Sequence, residues 1–567
     1  LKINFNTLDL SKRLEKMNFP WIRSYPENVD WDIKIEQKPL YSILDEAAEK
    51  FPDNTAIDFM GNFTNYRKLQ QKVEIAAKAF IELGVKKGTK VGIYLPNCPQ
   101  FIISYYAILK AGGVVVNCSP LYSGAELEHL VKDSGAEIVI TLDVKLLYPK
   151  LEAILKKDNC LKHIIVGNLP EVLPFPKNTL FKIFKAREIA KVNYGDNIHS
   201  WQDFIQKGKN SFIELAPSSA PYDVAVLQYT GGTTGVPKGA ILTHENVYSN
   251  AVQCKHWVNI EKDGEGSVLC VLPLFHVFAM TTALNLGILT AAKIILHPRF
   301  DIKMVLKDLQ KKRPTRMPGV PTMYNAINHY KDTPKYDLSS LKICVSGGGP
   351  LPVEVKNNFE KITGCKLVEG YGLTESSPVI CCNPINGVNK EGSIGLPFPV
   401  TEVLIEDMNN KGVFLGPDQK GELCVKGPQV MKGYHNQPEE TANVLQDGIL
   451  RTGDIAYIDS EGYVFIIDRL KEMIIAGGFK IFPRMVEEII YKHPKVQECA
   501  VIGIHDDYSG QRVKAIIVCK KGENCSAEEI LPYLQMHLAK HEVPKVIEFV
   551  ESLPKSPIGK ILKKELK

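Results

Sequence analysis

Between Leu40 and about Val345 the chain alternates two kinds of segment, and this alternation restricts its fold more than any other feature. Apolar residues recur at helical spacing in Tyr41 to Phe51 and Tyr66 to Leu83, and short β-branched runs separate such stretches: Lys90 to Tyr94, Val114 to Val116, Glu137 to Thr141. Strands followed by amphipathic helices bury both faces of a sheet, so the pattern predicts βαβ units around mainly parallel sheets. A second style begins near Thr401, where Val403 to Glu406, Glu422 to Val425 and Tyr463 to Ile467 are short strands punctuated by glycine, as in a small β-rich lobe. A third begins after Arg469. Pro483 at a helix start, Val486, Ile489 and Ile490 on one face, strands at Cys499 to Ile504 and Val513 to Cys519, and a helix from Ala527 to Ala539 predict a compact α+β unit. The chain's 567 residues exceed what one core holds. The expected class is α/β, with a large N-terminal domain of mainly parallel sheets, helices and a β-rich lobe at residues 1–470 and a small α+β domain at 471–567.

Charge and cysteine usage narrow the partners. There are 69 Lys and Arg against 64 Asp and Glu, a net charge of +5, too mild over this length for a nucleic-acid binder. The 13 Cys show no CxxC pair and no Cys/His spacing suited to zinc, and an odd number argues against a complete disulfide framework. A reducing cytoplasm is the expected compartment. Phe101 to Cys118 and Ala279 to Leu296 approach membrane-span length, but Lys110 and Lys293 interrupt them, so both are read as buried core. Leu1 to Leu14 has no long apolar region and does not read as a secretion signal.

The chemistry points to phosphate. Tyr229-Thr-Gly-Gly-Thr-Thr-Gly-Val-Pro-Lys-Gly239 follows the strand-like run Val224 to Gln228 and precedes a helix start at Thr243. Thr230, Gly231, Gly232, Thr233, Thr234 and Gly235 bring backbone N–H groups and hydroxyls close to a polyphosphate, and Lys238 adds charge. The GxxxxGK[ST] loop does not fit, because Gly239 follows Lys238.

This loop resembles that of the adenylate-forming superfamily, which includes acyl-CoA synthetases, luciferases and peptide-synthetase adenylation domains, and further motifs of that superfamily follow in order. Ser346-Gly-Gly-Gly-Pro-Leu351, with Gly347, Gly348 and Gly349, is similar to the turn that flanks adenine. Gly370-Tyr-Gly-Leu-Thr-Glu375 resembles the segment holding Tyr371, a Thr (Thr374) that touches the α-phosphate and a Glu (Glu375) that orients magnesium. Asp454 of Arg451-Thr-Gly-Asp454 and the adjacent pair Asp468-Arg469 match ribose contacts, and Lys560 of Pro554-Lys-Ser-Pro-Ile-Gly-Lys560 matches a catalytic lysine. Pro273-Leu-Phe-His-Val-Phe278, Pro318-Gly-Val-Pro-Thr-Met-Tyr324, His541-Glu-Val-Pro-Lys-Val546 and Leu40-Tyr-Ser-Ile-Leu-Asp-Glu-Ala-Ala48 look like bacterial long-chain fatty-acid CoA ligases. Three positions depart from the common pattern: Ile449 for Trp, Lys480 for Asn, and Arg484 for a smaller polar residue, the last two near the expected thiol channel.

The resemblance implies ATP, Mg²⁺ and coenzyme A as cofactor and co-substrates, a fatty acid as the acid, and a C-terminal domain that rotates about a hinge at Lys471. Lys560 then withdraws, and the turn Ala476-Gly-Gly-Phe479, with Gly477 and Gly478, approaches the pantetheine channel. His276, Phe278, Ala279, Met280, Gly319 and Met323 are candidates for the acyl site, with a satisfied core histidine as the other reading of His276. The other reading of Lys560 is a solvated basic tail together with Lys563 and Lys564. The excursion around Phe181, Phe184 and Ile189, interleaved with Lys182, Lys185 and Arg187, reads first as a solvated loop on the body, with an anionic membrane surface as the alternative. Two enzyme variants stay open, a medium-chain, short-chain or aryl acid and a carrier-protein acceptor, as does a non-catalytic acyl or nucleotide sensor. Monomer and homodimer are both open.

Overall fold

A computed structural model describes residues 19–157, 160–184, 186–216, 219–230, 237–477, 479–506, 509–523, 525–556 and 559–566. Leu1 to Leu14, Gly231, Gly232, Thr233, Thr234, Gly235, Lys185 and Gly478 lie outside them, as do the side chains of Lys182 and Phe184.

The predicted alternation forms an eight-stranded sheet in the order Gly433–Tyr434, Gly239–Thr243, Val224–Tyr229, Val114–Asn117, Lys90–Ile93, Ile138–Leu142, His163–Gly167 and Ile198–Ser200. It is parallel from Val224–Tyr229 onward, and the first two strands run antiparallel. The helix Pro99–Lys110 has almost no solvent-facing side and leads directly into the buried strand Val114–Asn117, which accounts for the long apolar run without a membrane. The second run, Ala279 to Leu296, passes through the π-helical segment Met280–Asn285 and the helix Leu286–Leu289 into the strand Lys293–Leu296, again buried. Among the described residues no helix is long and apolar enough to cross a membrane.

Two four-stranded sheets meet through Arg316, which bridges Val268 on one and Ile343 on the other in parallel register. The β-rich lobe is an antiparallel sheet of Glu402–Glu406, Gly421–Lys426, Ile449–Ile458 and Leu445–Gln446, with Val464–Arg469 paired to Ile449–Ile458. One continuous hydrophobic core serves all of these, from Trp21 to Val464.

A separate core begins at Ile474. The small domain carries the strands Ile474–Ala476, Phe479–Ile481, Val496–Asp506, Gly510–Cys519 and Val546–Phe549, with the helices Pro483–Tyr491 and Ala527–His537. A Cys519–Cys525 disulfide joins the end of one strand to the approach of the second helix. Between the two cores the chain crosses in a tight turn, where the N–H groups of Glu472 and Met473 both return to the Arg469 carbonyl.

Candidate active site

The glycine- and threonine-rich stretch connects two strands that the sequence reading saw only in part. Val224–Tyr229 runs antiparallel to Gly239–Thr243, and the Thr230 N–H donates to the Lys238 carbonyl at 2.9 Å, closing the neck of the loop. The loop thus leaves the carboxyl end of a parallel strand, where open α/β sheets take their ligands. Lys238 pairs with Glu440 and stands over the Tyr434 ring, 5.1 Å from its centroid. The Tyr434 hydroxyl donates to Glu375 Oε1 at 2.6 Å. Glu375 itself sits in the single turn Thr374–Ser376 that follows the strand Lys366–Gly372, and its carbonyl is held by the Met431 N–H at 2.8 Å.

That strand also presents Tyr371, whose hydroxyl donates to Asp454 Oδ2. Asp454 and Arg469 face each other across the antiparallel pair of Ile449–Ile458 and Val464–Arg469, with Arg469 Nε 3.2 Å from Asp454 Oδ1. The Asp454 charge holds the Arg469 guanidinium above its ordinary pKa. The next residue inward, Asp468, has its carboxyl pushed up to about 6 by burial and accepts the backbone N–H of Arg484 at 3.0 Å.

Lys560 reaches this group from the far end of the chain. Its loop is pinned internally: the Ser556 N–H donates to the Lys560 carbonyl at 2.7 Å, the Gly559 N–H to the Ser556 carbonyl at 2.8 Å, and the Leu562 N–H to the Pro554 carbonyl at 2.9 Å. Gly559 has φ +80°, and a Cβ there would stand 2.7 Å from Thr322 Oγ1 on the large domain, so only glycine fits without displacement. Burial, then the Arg469 charge, pushes the Lys560 ammonium down to about 8, against the pull of Glu472 and Asp454; Lys563 adds to the depression. Lys563, a solvated tail residue in the other reading of Lys560, is instead largely buried between Glu487 at 2.7 Å and Glu472 at 3.3 Å. Those two carboxylates outweigh burial and hold its pKa up.

His276 caps the short helix Val277–Ala279, its Nδ1 accepting the Phe278 N–H at 3.3 Å. Burial and the nearby Lys560 charge push it down to about 4, so the ring is neutral near pH 7. The preceding carbonyl, Phe275, is fixed by Gln228 Nε2 at 2.9 Å, and Gln228 by Asn117 Nδ2 at 2.8 Å. Sequence reasoning missed this buried amide pair.

The glycine turn packs closely on the acyl-side candidates. Gly347 donates its N–H to the Gly319 carbonyl at 3.1 Å, and a Cβ on Gly347 would lie 3.1 Å from the Phe278 ring. Gly348 follows at φ +77°, whereas a Cβ on Gly349 meets no atom within 4 Å. Met323 is buried beside Tyr324, whose hydroxyl donates to the Met317 carbonyl at 2.8 Å and stands against Gly319.

The remaining candidates lie on the small domain's approach. Lys471 is exposed in the turn between the two cores. Gly477, at φ +56°, donates its N–H to Ser509 within the small domain's own sheet. Lys480 is exposed, and the neighbouring Phe479 stacks on His541 with centroids 4.5 Å apart. Arg484 is buried, with Nη2 3.7 Å from Glu369 of the large domain. In the excursion after the sheet, Phe181 packs on the main core and Ile189 pairs with Val144, while Phe175 is 81% and Leu180 46% exposed.

A magnesium ion was tested against the donors present. Among the described residues no group of three or more His, Cys, Asp or Glu side chains is arranged around a metal. One carboxylate, Glu375, stands oriented by Tyr434 at the foot of the phosphate loop. A single carboxylate completed by substrate phosphates and water suits magnesium, so the donor set fits.

Known proteins match this chain over most of its length. The AMP-binding enzyme family matches residues 44–435, and the AMP-binding enzyme C-terminal domain matches 485–560. The long-chain-fatty-acid--CoA ligase of Bacillus subtilis (strain 168) is 44% identical over 96% of this chain and 97% of its own, and that of Yersinia pestis is 38% identical over 96% and 97%. A crystal structure of the anthranilate CoA ligase AuaEII in complex with anthranoyl-AMP superposes with a TM-score of 0.82 at 25% identity, covering 94% of this chain and 97% of that one. The chain belongs to the AMP-binding enzyme family.

Proposed function

We propose that this chain is an ATP-dependent long-chain fatty acid:CoA ligase, which forms acyl-AMP and pyrophosphate and then acyl-CoA and AMP. The observation that supports the reading is that the Lys560 ammonium, from the C-terminal tail, lies buried within electrostatic range of Asp454 and Arg469 of the large domain. The relatives' names supply the acid and the thiol.

A carboxylate is a poor electrophile because its leaving group would be oxide. In the first step its oxygen attacks the α-phosphorus of ATP, and the bond to pyrophosphate breaks. Both reactants are anionic, so the barrier falls when fixed cations and donors meet the developing charge. Lys560 and Thr374 serve the α-phosphate; the backbone and hydroxyls of residues 230–235, with Lys238 once released from Glu440, serve the polyphosphate. Asp454 and Arg469 hold the ribose, Tyr371 and Gly347 to Gly349 flank the adenine, and neutral His276 stands beside the acyl carboxylate without repelling Lys560. Glu375 holds magnesium, which when bound neutralises phosphate charge. In the second step the CoA sulfur attacks the acyl carbonyl, the thiol proton is lost, and AMP departs.

The domain boundary in this reading falls at 470/471, with Lys471 as the hinge that exchanges Lys560 for the turn at Gly477 and Gly478. The test is acid-dependent exchange of labelled pyrophosphate into ATP and CoA-dependent AMP release, over acids from acetate to oleate with benzoate included. Oleate should exceed acetate and benzoate in both assays. Benzoate in the lead would move the assignment to an aryl acid, exchange without CoA-dependent AMP release would favour a carrier acceptor, and no exchange with any acid would overturn adenylation. The exposed Phe175 and Leu180 favour a peripheral contact with the cytoplasmic face of a membrane; equal liposome flotation of Phe175→Ser/Leu180→Ser and the parent chain would end that idea.

A further inference from the structure

We infer that Arg484 and Glu369 form a latch between the two domains, one that holds the adenylation orientation. The inference rests on the proposed two-step ligase for its kinetic meaning, and on geometry for its existence. Glu369 lies on the strand Lys366–Gly372 of the large domain, two places before Tyr371, and is 7% exposed. The backbone N–H of Leu351, the residue that ends the glycine turn, favours the charged form of its carboxylate. Arg484, 8% exposed, opens the helix Pro483–Tyr491 of the small domain.

Arg484 is fixed on its own side twice. Its backbone N–H goes to Asp468 Oδ2 at 3.0 Å, just before the turn between the cores, and its Nε lies 3.4 Å from Glu488 Oε1 on the same helix. Its Nη2 reaches across the boundary to Glu369 Oε1 at 3.7 Å. A pair of this kind adds little net stability, because desolvation offsets attraction, but it discriminates strongly between arrangements that keep it and arrangements that separate it. Rotation of the small domain would leave Glu369 without its cation.

The titration of Glu369 follows the same geometry. Burial pushes its carboxyl up to about 7, with Arg484 and the Leu351 N–H opposing and Glu488 assisting. Above that pH the carboxylate is charged and the latch is engaged; below it the carboxyl is neutral and Arg484 keeps only Glu488 of its own helix.

The test uses the full chain with Arg484→Met, Glu369→Gln and the double variant. Each single variant should lower acid-dependent pyrophosphate exchange on the order of tenfold, with acyl transfer from preformed acyl-adenylate to CoA unchanged or faster. The double variant should be no worse than either single one. A second measurement is independent of chemistry: limited proteolysis at the 470–473 turn, well below the melting temperature of each protein, should be faster in both single variants. Equal loss of both half-reactions, or multiplied losses in the double variant, would overturn the latch. Cleavage at the parent rate would do so even if the chain activated no acid at all, which separates failure of the latch from failure of the ligase reading.

Discussion

Thr322 on the large domain donates its hydroxyl to the backbone oxygen of Gly559 at 3.3 Å, and the next residue along the chain is Lys560. This contact seats the tail loop on the large domain immediately before the side chain that enters the cleft. Gly559→Ala would place a methyl against Thr322 Oγ1 and strain a left-handed backbone by about 1 to 2 kcal/mol. Pyrophosphate exchange should fall about tenfold for a loss of that size, while transfer from preformed acyl-adenylate to CoA is spared. Thr322→Gly in the same chain should restore part of the exchange rate.

Lys560→Ala removes the cation directly. Loss of one such group in a preorganised site costs about 10² to 10³ in rate. The expected result is a fall of that order in pyrophosphate exchange, with binding of a preformed adenylate, measured by calorimetry, weakened far less.

The depressed pKa of Lys560 gives its contribution a definite sign with pH. The ammonium is charged below about 8 in the folded chain, so kcat/KM for ATP should decline as pH rises through that value. Lys560→Arg should show no such decline. His276 does not interfere, being neutral above about 4. For stability the sign is opposite: the folded-state pKa lies below the ordinary 10.5, so folding releases a proton and this group favours unfolding most at low pH. That penalty disappears as pH rises from about 8 toward 10.5. Lys560→Met should therefore resist denaturant better than the parent at pH 7.

Lys563 supports the same loop from beneath. Lys563→Met strands the buried Glu487 and should destabilise the small domain by on the order of 2 kcal/mol, read as a shift in denaturant midpoint. Its cation also depresses Lys560, so the alkaline limb of the exchange profile should move upward in this variant. Lys563→Arg should return both readings to those of the parent.

Lys471→Pro stiffens the turn that joins the domains. If this turn is the hinge, CoA-dependent AMP release should suffer more than pyrophosphate exchange. Equal loss in the two assays would remove Lys471 from that role.

Much of the framework was legible in the sequence because it depends on local pattern. The run Lys90 to Tyr94 is the strand Lys90–Ile93, Tyr66 to Leu83 is the helix Tyr66–Glu82, and the helix predicted from Pro483 runs to Tyr491. Capping chemistry explains the accuracy at such ends: Asn65 and Thr243 each hold an N–H of the first turn. The strand Gly239–Thr243 was missed, since its antiparallel pairing is visible only once Val224–Tyr229 is placed beside it. Most of the missed site contacts join residues far apart in the chain. Tyr371 and Asp454 are separated by 83 positions, and Lys238 and Glu440 by 202. Nothing local distinguishes Glu440 from any exposed glutamate, or Lys563 from its neighbour Lys564. Arg484 was noticed for its identity, but its partner Glu369 was not legible, because which side of a helix faces another domain is decided by the docking of the two bodies.

The Leu470 N–H bonds to the Gly453 carbonyl at 3.0 Å, so the point where the chain changes bodies is tied to the residue beside Asp454. In a swinging door, what sits at the pin barely travels while the free edge sweeps a wide arc. In the proposed reaction a sugar gripped by Asp454 and Arg469 would sit at the pin, and Lys560 would ride the free edge. Such a machine would change tools without setting down the workpiece.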